Sequence, residues 1–318
     1  LRIVPPVLPP FFSLAGRERS GILTLLLVLN KTGGTLAGTR SASYYTARRG
    51  LYRSILYLLL LVTCAIMLFP FFWMITTSFK SATEALKFPP QWIPTSWRWQ
   101  NYPLAWSVAP FGRYFFNSFF IAITSTAGEV FTTILAAYAF AKMRFFGKNA
   151  LFALLLATLM IPGEMLLIPN FVTIVRLHWF DHYQALIIPW LVSVFGIFLL
   201  RQFFRSIPDE LWDAARIEGC GRFRFLMRIV VPLSKPAILT VALFKFLGSW
   251  NAFQWVLIMT NSEYMRTVPV GLTNFSTDIG TAYEQLMAAS VLAILPVLVL
   301  FFFTQKQFIQ GVARTGIK

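Results

Sequence analysis

The sequence predicts an all-α polytopic membrane protein with six transmembrane helices. Two observations carry this. Of 318 residues, 57% are hydrophobic and only 13% charged, with a mean hydropathy of +0.65, which is too apolar for a water-soluble domain of this size. The apolar residues also gather into long runs. A helix needs about 20 of them to cross the roughly 30 Å hydrocarbon core, because its backbone polar groups must be satisfied internally.

Six runs meet that length, at about 51–75, 114–141, 149–169, 183–203, 236–260 and 286–304. An even number places both termini on one side. The segments sharing that side carry "ARRGLYR" before the first span, "KMRFFGK" between the second and third, "RQFFRS" to "RFRFLMR" between the fourth and fifth, and Lys306, Arg314 and Lys318 at the end, and most of the 28 basic residues lie on it. The opposite loops hold Lys80, Lys87, Arg98, Arg176 and Arg266, with Arg113 at the boundary. By the positive-inside rule both termini are expected in the cytoplasm. The formal charge of +16 therefore describes loops beside a lipid bilayer, and no nucleic-acid partner is expected.

Residues 1–50 form a separate segment in this reading, and the membrane domain runs from 51 to 318. The segment begins with Leu1, contains no Met, and mixes "PPVLPPFF" with Gly, Ser and Thr in no helical period. It is expected to be disordered or a non-native extension. Residues 17–29, "RERSGILTLLLVL", resemble a short secretory signal. Cleavage after them would leave Arg48 and Arg49 outside, against the charge rule, so translation from upstream or from an unusual start codon is preferred.

After the first span, residues 78–112 are rich in Pro and Trp, which fits a structured loop at the outer interface able to dock something outside the membrane. No phosphate-binding Gly loop, nucleophile elbow or paired carboxylate is visible, so no catalytic residue and no cofactor bound by this chain is expected. Cys64 and Cys220 are isolated, and His178 and His182 lack any companion ligand pattern, so neither a disulfide nor a metal site is expected.

The connection between the fourth and fifth spans, about 204–235, mixes its basic residues with Asp209, Glu210, Asp213 and Glu218. Ser206 is placed to cap a helix, Pro208 suits its first turn, and Asp209 and Glu210 complement its dipole. Asp213 precedes Arg216 at a spacing that permits a pair, and Leu211 and Ala215 form an apolar strip beside Ala214. Gly219 and Gly221 bracket Cys220 and should end the helix in a sharp turn. An interfacial helix on lipid has similar amphipathicity. The acids, which an anionic leaflet repels, and the small alanines favour docking on a protein.

The stretch "IPDELWDAARIEGCGRFRFLMRIVVPLSKPA", Ile207 to Ala237, resembles the EAA loop of inner-membrane permease subunits of binding-protein-dependent ABC importers. The likeness extends over about 51–318 through "FPFFWMITTSFKSATE", "AAYAFAKMRFFGK", "MIPGEMLLIP", "FLGSWNAFQWVLI" and "MAASVLAILPVLVLFFFTQKQFIQG", and points to the carbohydrate-uptake branch, similar to the smaller membrane subunit of maltose-type importers. The resemblance implies a type I importer permease fold. It also implies a second permease subunit, two cytoplasmic ATPases that hydrolyse the ATP, and an extracytoplasmic sugar-binding protein. It maps the ATPase-coupling contact onto Asp213, Ala214, Ala215, Gly219, Ile229 and Pro232, with Glu210 and Glu218 in the same segment and Asp213 where the family usually has Glu.

For the sugar path, the candidates are Glu164, Lys245, Trp250, Asn251 and Phe253. An ionisable group within a span usually faces protein or water. Glu164 follows Pro162 and Gly163, which should break the helix and open its backbone to a cavity; a charge snorkelling at the outer face explains it equally. Lys245 stands either on the passage or in a structural salt bridge. Trp250, Asn251 and Phe253 have the stacking faces and hydrogen-bonding groups that sugar recognition combines, and also the makings of a subunit contact. Three other functions remain open: a proton-coupled secondary transporter using Glu129, Glu164 and Lys245 as a relay, an ABC importer permease for a solute other than sugar, and a receptor or scaffold membrane subunit with no translocation path.

Overall fold

The computed structural model describes residues 38–277 and 280–315; residues 1–37, including the signal-like segment 17–29, lie outside them. The chain divides into two units, residues 1–70 and 71–318. Helix α1, Gly38–Ser78, contains Pro70. It starts well before the expected boundary at 51. Once a helix is nucleated, each further residue adds a hydrogen bond without repeating the nucleation cost, so the apolar span draws the Ala, Tyr and Arg residues ahead of it into its own helix.

The remaining spans are α2 (Phe111–Lys142), α3 (Lys148–Thr158) followed by α4 (Leu167–Arg176), α5 (Tyr183–Ile187) continued by α6 (Val194–Arg205), α9 (Lys235–Trp250) and α11 (Tyr283–Thr315). Short helices α7 (Glu210–Ile217) and α8 (Arg222–Phe225) precede α9, and α10 (Gln254–Met259) follows it. Four helices are long and apolar enough to cross a membrane, or six if each of two bent pairs counts as one span. Three of the six expected spans differ in form from continuous rods. The third turns by 89° between residues 158 and 163, where Pro162 removes a donor and a 3-10 turn at Gly163–Leu166 restarts the helix. The fourth is interrupted at Ile188–Trp190 by Pro189 and resumes when the Ser193 hydroxyl accepts from Gly196 N–H at 3.0 Å. The fifth stops at Trp250 and resumes at Gln254.

Three buried clusters hold the second unit together. One joins Ile134, Ala137 and Tyr138 of α2 to Leu200 and Phe204 of α6, Val241 of α9, and Ala215 and Phe225 of the connection between them. A second packs Tyr114 against Val268, Phe275 and Ala288. A third sets Ile121 against Ile174, Leu186, Val256 and Met259. Residues on α2 contribute to all three, so α2 is the central post of this unit.

The Pro- and Trp-rich segment after α1 is ordered by polar contacts. Asn101 donates to the carbonyls of Ser78 and Lys80, both at 2.8 Å, and Phe79 packs its ring on Trp97, Trp99 and Tyr102. A capping box opens the turn Ala82–Ala85: Ser81 N–H donates to Glu84 at 3.0 Å and Glu84 N–H donates to the Ser81 hydroxyl at 3.3 Å. Thr95 donates to the same carboxylate through its backbone N–H and its hydroxyl. The Ser81 backbone bond first, then the Thr95 hydroxyl, hold the Glu84 carboxyl down to about 2. A lowered carboxylate contributes order that is complete above its unfolded value and lost as pH falls through the folded one. Hydrogen exchange over Ser81–Thr95 should therefore be slower in wild type than in Glu84→Gln above pH 4.5, with the difference vanishing as pH falls toward about 2. A difference independent of pH would contradict this account.

Candidate functional site: a helix-turn connection and a membrane cavity

The connection between α6 and α9 is tied down at its start. Lys142, the last residue of α2, donates to the Ile207 carbonyl at 2.5 Å and to the Asp209 carboxylate at 2.6 Å. That hydrogen bond, with the lysine charge behind it, holds the Asp209 carboxyl below the usual carboxylate range. Asp209 is thereby committed to Lys142, and α7 begins at Glu210 with no side-chain cap. Ser206, expected as the cap, instead donates its hydroxyl back to the Phe203 carbonyl at 2.7 Å.

One face of α7 turns inward. Ala215 is 5% exposed in the first cluster, and Trp212 meets the Phe225 ring edge-on at 5.1 Å, with the Arg222 guanidinium over the indole ring. The opposite face is open: Glu210, Asp213, Ala214, Glu218 and Gly219 are exposed, and Ile217 is 89% exposed. Among the described residues the two ion pairs are Lys142–Asp209 and Lys245–Glu129, and neither includes Asp213 or Arg216. The helix ends in a Schellman turn. Cys220 N–H donates to the Ala215 carbonyl at 2.8 Å and Gly219 N–H to the Arg216 carbonyl at 3.0 Å, with Gly219 left-handed at φ 73°. Ile229 packs half-buried on the same cluster. Pro232 sits in the helical turn Val231–Leu233, where the chain bends by 81° into α9.

Higher in the bundle a cavity of about 530 Å³ opens between α2, the break before α6, and α9 with its following break. This volume lies in the range of small-molecule sites. Lys245 donates to the Trp190 carbonyl at 3.0 Å and pairs with Glu129 at 3.1 Å. Its ammonium also lies 5.4 Å from the centre of the Trp190 ring. Trp255 meets Trp190 edge-on at 5.2 Å, and its indole N–H is satisfied by the Ala185 carbonyl at 3.0 Å. Phe253, Phe244, Ser249 and Gln254 complete much of the wall.

Of the path candidates, Lys245 and Phe253 share this cavity. Trp250 lies elsewhere, 2% exposed among the rings of Phe115, Phe119 and Phe246. Asn251 is exposed at the break, and Glu164 is exposed in its 3-10 turn. Neither lines the cavity. Sequence reasoning missed Trp190, Ser193 and Trp255. The "IIPW" run carried a usable signal, because a proline inside an apolar span frees backbone carbonyls, and these need a polar neighbour.

The family described as "Binding-protein-dependent transport system inner membrane component" matches residues 128–314, which include the connection and all of the cavity wall but Ile121. The arabinooligosaccharides transport system permease protein AraQ of Bacillus subtilis is 35% identical over 270 residues, 84% of this chain and 96% of that protein. The sn-glycerol-3-phosphate transport system permease protein UgpE of Yersinia enterocolitica is 34% identical over 263 residues, 80% and 94% of the two chains. The inner membrane ABC transporter permease protein YcjP of Escherichia coli is 33% identical over 277 residues, covering 86% and 99%. The fold is that of a chain in the crystal structure of a bacterial ABC transporter involved in the import of the acidic polysaccharide alginate, with a TM-score of 0.74, 21% identity, and coverage of 87% of this chain and all of that one. With a match across more than half its length and relatives spanned almost end to end, the chain belongs to the family of inner-membrane permease components of binding-protein-dependent ABC transport systems.

Proposed function

We propose that this chain is a nonenzymatic permease subunit of an ATP-driven sugar importer. The observation that carries this reading is the open face of α7, from Asp213 to Gly219, held rigidly by Ala215 on one side and Lys142 at its start. A short, rigid, exposed helix of this kind suits a partner that hydrolyses ATP in the cytoplasm. Two ATPases would bind two such helices, one on this chain and one on a second permease subunit. Both termini then lie in the cytoplasm, as the basic loops favour, and the ordered segment after α1 faces an extracytoplasmic binding protein.

The cavity supports a sugar as cargo. Indole and phenyl faces stack on the C–H faces of sugar rings, while Ser249 and Gln254 supply hydrogen bonds. The relative named for arabinooligosaccharides favours the same class, and the one named for sn-glycerol-3-phosphate supports a second reading, a polar solute that is not a sugar. A proton relay is disfavoured, because Glu164 stands apart from the Glu129–Lys245 pair.

The test is uptake into proteoliposomes holding both permeases and the ATPases, with ATP supplied to the ATPases and binding protein on the opposite side. Uptake of a labelled oligosaccharide is expected to require both and to ignore a protonophore. Uptake by this chain alone, abolished by a protonophore and indifferent to ATP, would overturn the importer reading.

A further inference from the structure

Among the wall residues of the cavity, the ionisable ones are Glu129 and Lys245, and each is committed to the other at 3.1 Å. Their side chains are 8% and 10% exposed. The lysine takes a second partner from the protein itself, the Trp190 carbonyl at 3.0 Å. The wall therefore carries no net formal charge. What faces a solute beyond this pair is aromatic surface from Trp190, Phe253 and Trp255, together with the neutral polar groups of Ser193, Ser249 and Gln254.

We propose that Glu129 sets the charge class of the transported solute: by holding Lys245 it makes the cavity selective for uncharged, hydroxyl-rich sugars and against carboxylated or phosphorylated ones. The inference rests on the reading of this cavity as the sugar path. An anion entering here has two courses, and both are unfavourable. It either stays unpaired beside a neutralised lysine, or it takes the lysine and strands a buried carboxylate next to itself. A cation meets the mirror of the same difficulty at Glu129. A neutral sugar disturbs nothing, since it stacks on the rings and hydrogen-bonds to hydroxyl and amide groups while the ion pair stays closed. The relatives are named for solutes of both kinds, a neutral oligosaccharide and a phosphate ester, so the family alone does not decide the class.

The experiment is saturation-transfer NMR on the assembled permease–ATPase complex without binding protein, using galactotriose and trigalacturonate, which differ by a hydroxymethyl against a carboxylate on each ring. Wild type is expected to bind galactotriose more tightly by about tenfold or more. In Glu129→Gln the freed lysine accepts a carboxylate, and the preference falls to parity or reverses. The double variant Glu129→Lys with Lys245→Glu restores a neutral wall and should restore the preference for galactotriose. It keeps the proposal testable if Glu129→Gln does not assemble. Equal binding of both probes to wild type, or an unchanged preference in Glu129→Gln, overturns the proposal and leaves the sugar reading standing. Saturation transfer to neither probe from an intact complex overturns the sugar-path reading, and this proposal with it.

Discussion

Replacing Gly219 with valine is expected to lower binding-protein-stimulated ATP hydrolysis and uptake together, by about tenfold or more, in a complex that still assembles. Gly219 closes the Schellman turn at φ 73°, a conformation that costs an L residue about 1–2 kcal/mol and a β-branched one more. A Cβ placed there meets nothing within 4 Å, so the damage comes from the backbone and not from a clash inside this chain. Once the residue leaves the left-handed region, the bonds from Gly219 and Cys220 to Arg216 and Ala215 are lost. The end of α7 unwinds, and its exposed face no longer has a fixed direction. Gly219→Asn is the informative companion, because asparagine tolerates the left-handed region. It should retain most activity if conformation is what matters. Equal loss in the asparagine and valine variants would place the requirement in the space the partner occupies, and wild-type activity in the valine variant would sink the coupling role of this turn.

Lys245→Ala is expected to destabilise the chain by about 3–5 kcal/mol, the range for stripping one partner from a buried ion pair. Glu129, 8% exposed when paired, would lose its compensating charge, and the Trp190 carbonyl would lose its donor. Thermal unfolding of the purified complex should show a clear drop for this variant. The double variant Lys245→Met with Glu129→Gln removes both charges at similar volume and should recover more than half of the loss. If the single variant unfolds like wild type, or the double one is no better than the single, the two residues are not energetically coupled and the argument for a charge-neutral wall fails.

How much of this was legible in the sequence depended on how far apart the cooperating residues lie. Apolar run length found the helices that are long and apolar enough to cross a membrane, four of them or six if each bent pair counts as one span, because run length is a property of one continuous segment. It could not locate the breaks at 188–193 and 251–253 with the same ease, since Pro189 is tolerated in some spans and Asn251 carries no strong helix-breaking signal. The helix and turn from Glu210 to Gly219 were legible because their determinants are local, namely charge near a helix start, small residues and a glycine at the end, whereas the anchor of that start on Lys142 of α2 was not. What stayed hidden was direction. Ala214 and Ala215 are identical in composition, yet Ala215 is buried and Ala214 exposed, and that choice belongs to the surfaces of α2 and α6. The same limit explains the cavity. Glu129 and Lys245 were visible as costly residues inside spans, but only the packing of α2 against α9 makes them partners, and Trp190 entered through a kink in a third helix.

The burial of Ala215 in one cluster with α2, α6 and α9 has a mechanical meaning. Close-packed interiors transmit displacement with little compression, so α7 has no pivot of its own: a push on its open face moves the attached ends of three spans as one piece. The helical rods are interrupted farther along, at Ile188–Trp190 and after Trp250. Both adjoin the cavity. In the proposed importer, a stroke delivered at α7 would be converted to bending next to the solute, with the stiff cluster as lever arm and the helix breaks as its hinges.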